Sequence, residues 1–206
     1  MASESEQIVG LYERLALEWA GDRGRPGRFI EKDWLDRFTA TIPAGGTILD
    51  LGCGFGKPMA AYLLTRGFKV CGVDSSPTMI SMCRQEFPAG EWLVADMRAL
   101  DLRRRFAGIM AWDSFFHLSF DDQRNMFPVF AALAAPGAPL LFTSGPRHGE
   151  AIGELRGEAL YHASLDPEEY SDLLAANGFV VVDEKMEDPD CGGHSVWLTR
   201  RAATLD

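Results

Sequence analysis

The chain of 206 residues carries 30 acidic against 20 basic side chains, a formal charge of −10, and is 47% hydrophobic. That size and apolar share suit one domain with a sizeable core, while the acidic balance argues against a nucleic-acid backbone as partner, since such binding draws on clustered Lys and Arg. Four scattered cysteines without a C-x-x-C pair suggest neither a disulfide scaffold nor a metal site, no apolar run approaches the ~20 residues that span a bilayer, and the polar start Met1–Glu6 points to a cytoplasmic protein.

Ile8, Leu11, Tyr12, Leu15 and Trp19 share one face of a helix, which Gly21–Gly27 should break. A second helix carries Phe29, Ile30, Trp34, Leu35 and Phe38, so residues 1–42 read as a helical cap ahead of a core over 43–206. Strand one is expected over 47–51, followed by Gly52-Cys53-Gly54-Phe55-Gly56-Lys57-Pro58. Alternating glycines let a ligand approach the main chain, and proline suits the first position of the next helix.

Spacing separates the nucleotide readings of this turn. A phosphate loop needs a first Gly where Leu51 stands and Ser or Thr where Pro58 stands, so it is rejected. A dinucleotide fold would want a small residue at Lys57; it is disfavoured but stays open.

Strand two, 68–73, ends in Asp74, about 20 residues beyond the glycines, where parallel-sheet folds place a ribose-hydroxyl acceptor. Ser75-Ser76-Pro77 caps a helix with Met79, Ile80, Cys83 and Phe87 at helical spacing. Strand three, 92–95, leads to Asp96-Met97, and strand four, 107–112, ends in Trp112-Asp113 ahead of Phe115, Phe116 and His117. Strand ends closing on Asp50, Asp74, Asp96 and Asp113 draw a rim at the side of the sheet where ligands bind. The run Arg103–Arg105 reads as a solvated loop. Ser119 and Asp122 resemble a capping box for a helix that Pro128 should kink or split.

Strand five, 140–143, is followed by an irregular stretch, 144–165, expected as loop and weak helix and holding His148, Tyr161 and His162. Asp166-Pro167-Glu168-Glu169 starts a helix that ends at Asn177-Gly178. Strands six, 179–182, and seven, 195–199, close the chain.

Asp-Leu-Gly-Cys-Gly-Phe-Gly over 50–56 is similar to the first motif of class I S-adenosylmethionine-dependent methyltransferases, and the resemblance extends over roughly 44–200. It implies an α/β, Rossmann-like, seven-stranded and mostly parallel sheet whose last strand inserts antiparallel. The cofactor would be S-adenosylmethionine, leaving as S-adenosylhomocysteine. The implied cofactor residues are Asp50, Gly52, Cys53 and Gly54 at the turn, and Asp74, Ser75 and Met79 beyond strand two. Asp96 and Met97 would stand at the adenine, Trp112 and Asp113 at strand four, with Tyr12 and Trp19 on the lid.

The acceptor would meet Phe116, His117, His148, Tyr161 and His162, with His117 as candidate general base. Asp113-Ser114-Phe115-Phe116 replaces the Asn/Asp-Pro-Pro-Tyr signature of many nucleic-acid methyltransferases, and neither the paired-glutamate loop of protein arginine methyltransferases nor a catechol-type set of metal-binding carboxylates is evident, which leaves a small-molecule acceptor and no metal. An NAD(P)-dependent oxidoreductase and a non-catalytic S-adenosylmethionine-binding module remain as alternatives.

Overall fold

A computed structural model describes residues 4–24 and 29–203. The strands are β1 Thr47–Leu51, β2 Lys69–Asp74, β3 Glu91–Val94, β4 Gly108–Ala111, β5 Pro139–Ser144, β6 Gly149–Leu155, β7 Glu158–Ser164, β8 Phe179–Asp188 and β9 His194–Arg201. All but β6 and β7 form one seven-stranded sheet in the order β3-β2-β1-β4-β5-β9-β8. Pairings are parallel from β3 to β5, and β9 inserts antiparallel between β5 and β8. This is the Rossmann-like sheet that the sequence predicts.

Side chains alternate across a strand, so each strand feeds two cores. Leu49, Cys71, Ile109, Leu140 and Phe142 face α6 (Phe120–Leu133) and α7 (Pro167–Ala176), where they meet Phe127, Phe130 and Tyr170. Ile48, Val70, Met110 and Leu141 face α3 (Lys32–Thr39), α4 (Met59–Thr65) and α5 (Pro77–Glu86), where they meet Trp34, Phe38, Leu63 and Ile80. Strand order reverses between β1 and β4, which opens a crevice beyond their carboxyl ends.

Several elements differ from expectation. The first helix is two, α1 (Glu4–Arg14) and α2 (Ala16–Arg23), because its halves pack on different surfaces. Ile8 and Leu11 lie against Tyr161 and Ala163, while Ala16 and Trp19 lie against Phe55 and Met79. Helix α2 continues through Gly21 to Arg23; Arg25, Pro26 and Gly27 of the expected break lie outside the described residues. Helix α3 begins at Lys32, after Phe29 and Ile30, and Pro58 precedes α4 rather than opening it.

Pro128 leaves α6 unbroken over 14 residues. The stretch expected as loop and weak helix is the β6–β7 hairpin. Strand β6 is exposed along nearly its whole length, so it carries no hydrophobic alternation to read. Its turn is Arg156-Gly157, both at positive φ, the requirement of a tight two-residue hairpin. Strand β8 runs on to Asp188, with two register shifts against β9. No helix among the described residues is long and apolar enough to cross a membrane.

Candidate active site

The crevice is built first by the turn after β1. Gly52 has φ +73°, and a Cβ there would stand 2.3 Å from Cβ of Ser114, whose hydroxyl donates to the Leu51 carbonyl at 2.7 Å. The turn is thereby fastened to the segment after β4. Gly54, at φ +53°, has open space where its Cβ would be. Its amide donates to Asp74 Oδ2 at 2.8 Å, while Ser76 N donates to Oδ1 at 2.9 Å. Asp74 thus orients the loop and still has lone pairs for a ligand, and burial raises its pKa.

The second wall comes from β4. Asp113 takes φ +48°, an uncommon conformation for a non-glycine residue, and lies near Arg23 at 3.7 Å and His194 at 3.4 Å. Its Oδ1 and the Trp112 indole Nε1 are buried without a hydrogen-bond partner among the described residues. Oδ1 has His194 Nε2 at 3.4 Å and the carboxylate neighbours the Trp112 indole, so this end of strand four is polar, buried and only loosely satisfied beside the crevice. Burial raises the Asp113 pKa against the pull of His194 and Arg23.

Asp96 is committed differently from expectation. Its carboxylate takes Arg98 in a forked contact at 2.6–3.0 Å, and the guanidinium holds its pKa below the usual range.

The roof is the pair α1–α2. Glu13 accepts from Ser76 Oγ, Thr78 N and Thr78 Oγ1, fixing α1 to the start of α5. Tyr12 donates to His117 Nε2 at 2.9 Å and stands edge-on to Trp19, with ring centres 5.7 Å apart. His117 Nδ1 lies 2.7 Å from the Tyr161 carbonyl, which can only accept, so Nδ1 carries the proton and Nε2 the lone pair. Both nitrogens are engaged, and burial pushes the ring's pKa down to about 4. His117 is a neutral, fixed imidazole, poorly suited to the general-base role expected for it.

Every residue expected around a cofactor lines this crevice except Asp50. Asp50 is buried, and its carboxyl is raised to about 7 by desolvation and by Asp74. Among the acceptor residues, His117 lines the same crevice, whereas Phe116, His148 and His162 line a second cavity under the β6–β7 hairpin. Tyr161 lines neither; its ring packs on α1 and its hydroxyl donates to Glu150 at 2.6 Å.

The sequence reading missed Arg23, Arg98 and His194. Arg23 falls in a stretch read as a helix break. Arg98 is signalled only by its spacing from Asp96. His194 reaches Asp113 through β9, a long-range pairing with no local signature.

A family model described as a methyltransferase domain matches residues 48–137, the stretch that supplies Gly52, Asp74, Asp96 and Asp113. Over that stretch the chain is similar to methyltransferase domains. A trans-aconitate 2-methyltransferase of Azoarcus sp. (strain BH72) is 40% identical to this chain over 85 residues, 40% of this chain and 31% of that one. The chain thus spans about a third of that relative's length.

A protein described as an S-adenosyl-L-methionine-dependent Diels-Alderase, from Neonectria sp. (strain DH2), is 28% identical over 193 residues, 84% of this chain and 73% of that one. Among solved structures, magnesium protoporphyrin IX methyltransferase from Synechocystis PCC 6803 superposes with a TM-score of 0.75 at 17% identity, covering 98% of this chain and 99% of that one. At such identity the superposition speaks to the fold alone.

Proposed function

We propose that this chain transfers a methyl group from S-adenosylmethionine to a small-molecule acceptor, within a single domain whose residues 1–42 cap the site. The observation that carries this reading is the crevice that gathers Gly52, Gly54 and Asp74 with the loosely satisfied Trp112 and Asp113 at the carboxyl ends of the strands.

Bound S-adenosylmethionine supplies a sulfonium-activated methyl with a good leaving group already attached. The chain's part is to bind, align and keep water out, and alignment alone accounts for ~7–11 kcal/mol of barrier lowering in favourable cases. Gly52, Cys53 and Gly54 offer close backbone approach, Asp74 and Ser75 suit ribose hydroxyls, and Met79 and Met97 suit the flanks of the adenine. Trp112, Asp113 and Arg23 offer a donor, an acceptor and a cation for an amino-acid end. Tyr12 and Trp19 close the roof, and His117 acts as a positioning residue that holds Tyr12. The net charge of −10 supports an acceptor other than nucleic acid, and four free thiols support a reducing cytoplasm.

Calorimetry with S-adenosylmethionine, S-adenosylhomocysteine and NAD tests the reading. Micromolar binding of the first two is expected; NAD binding without them overturns it. A second reading, in which bound S-adenosylmethionine keeps its methyl, draws on the relative described as a Diels-Alderase, since cycloaddition needs no methyl donor. Transfer of labelled methyl to a metabolite panel distinguishes the two.

A further inference from the structure

The second cavity lies one residue away from the first: Phe116 lines it, while neighbouring His117 lines the crevice. Its volume is about 330 Å³, enough for a small organic molecule. Its chemistry contrasts with the rest of the molecule. In a chain with 30 acidic and 20 basic side chains, this cavity collects Arg147 and three of the four histidines, His148, His162 and His194.

Its one carboxylate, Glu150, already accepts from the Tyr161 hydroxyl. Arg147 makes no ion pair among the described residues, although acidic side chains outnumber basic ones overall. The walls are flat rings: His194 stacks on Phe116 at 14° between planes, and His162 lies tilted against the same ring with centres 5.2 Å apart. His194 also reaches Asp113 of the crevice at 3.4 Å, so the wall between the two cavities is a contact between their own lining residues.

We propose that this cavity is the acceptor subsite and that the acceptor is a planar small-molecule carboxylic acid, bound as its anion, with the Arg147 guanidinium on the carboxylate and Phe116 and the histidines on the ring. The assignment as acceptor subsite rests on the methyl-transfer reading; the preference for an acid does not. A carboxylate suits a planar guanidinium fork with hydrogen bonds to the imidazole N–H groups, and a flat body suits walls built from the packed rings of Phe116, His162 and His194. A cationic acceptor would meet Arg147 and the three histidines against a single carboxylate, Glu150, which already accepts from Tyr161.

The test uses the full chain and matched pairs of probes, benzoate with benzamide, salicylate with salicylamide, and phthalate with phthalamide. Binding is measured by calorimetry and ligand-observed NMR, with and without saturating S-adenosylhomocysteine. At least one acid is expected to bind about tenfold or more tightly than its amide, as is usual for a charge-assisted contact. Arg147→Gln should bring that acid to the level of the amide while binding of S-adenosylhomocysteine stays unchanged. His148→Gln, at the exposed rim, should weaken the acid by a smaller factor.

Equal binding of acids and amides overturns the proposal, as does an acid preference that survives Arg147→Gln, or no acid binding up to millimolar concentration. If S-adenosylhomocysteine does not bind but the acid preference appears and depends on Arg147, the methyl-transfer reading fails and the anion site stands.

Discussion

Tyr12 and His117 join the roof of the crevice to the strand-four rim through one hydrogen bond of 2.9 Å, and its direction is fixed from behind by the Tyr161 carbonyl, which claims the His117 Nδ1 proton. The ring therefore stays neutral in the folded protein, with a pKa near 4 against 6.5 for an unperturbed histidine. A base with a depressed folded pKa leaves the unfolded chain holding the extra proton between those values. Stability is then fully present above pH 6.5 and is lost as pH falls towards 4. The shift corresponds to about 3 kcal/mol. Urea unfolding of the wild type and His117→Asn at pH 7 and pH 4.5 should show the wild type losing about 2–3 kcal/mol more than the variant. Parallel losses would mean that the ring titrates as it does in water.

The same geometry predicts the kinetics. With both nitrogens engaged, His117 should contribute no limb near pH 6.5 to the pH dependence of turnover. Tyr12→Phe and His117→Asn should both weaken S-adenosylhomocysteine binding, since each releases the roof, without introducing or removing such a limb. A limb present in the wild type and absent in His117→Asn would restore the general-base role.

The two glycines of the turn should respond differently to alanine. At Gly52 the new Cβ meets Ser114 Cβ at 2.3 Å with φ at +73°, so loop and strand-four segment must separate. Gly52→Ala should lower stability by roughly 2–3 kcal/mol and abolish S-adenosylhomocysteine binding together. At Gly54 the Cβ enters open space, and only the left-handed φ costs about 1–2 kcal/mol. Gly54→Ala should fold and lose affinity. Thermal melting and calorimetry on both proteins check the contrast, and unchanged affinity in Gly54→Ala would move the ligand away from this wall.

Legibility in the sequence followed the range of the interactions. The strands β1, β2 and β4, the Ser76 cap and the Asp166 cap were readable because apolar runs, serine or aspartate before proline, and glycine spacing act within a few residues. The rim of acids was readable for the same reason, each closing its own strand. Asp50 shows where that logic stops. It lies inside β1, one residue before the strand's end, and pairs in register with Gly72 and Met110 on the strand face turned to α4, so the pleat carries it away from the crevice. The β6–β7 hairpin was hidden because β6 buries almost nothing, and His194 because β9 brings it to Asp113 from 81 positions along the chain.

The buried carboxyl of Asp50 has its own pH signature, opposite in sign to that of His117. Its pKa rises from 3.8 unfolded to about 7 folded, so its contribution is complete below pH 3.8 and is lost as pH rises through 7. Asp50→Asn keeps the shape and removes the ionisation. Relative to wild type it should gain roughly 2–4 kcal/mol of stability between pH 5 and pH 8.5, by denaturant unfolding at both. A constant difference across that range would show that the carboxyl is ionised throughout. Binding of S-adenosylhomocysteine should change far less than in Gly52→Ala, because the side chain lies outside the crevice.

Arg23 closes the site from the lid and at the same time neutralises a buried acid. Its guanidinium pairs with Glu31, which is only 2% exposed, and lies 3.7 Å from Asp113. Arg23→Met would leave Glu31 buried without this partner, a change that typically costs about 3–5 kcal/mol. Adding Glu31→Gln should recover most of that loss, since the stranded charge is what makes the single substitution expensive. Binding separates the two roles. The double variant should regain stability but not affinity for S-adenosylhomocysteine, because the cation beside Asp113 is still missing. Recovery of both would confine Arg23 to holding Glu31, and recovery of neither would place its contribution in the packing of α2 against Phe55 and Met79.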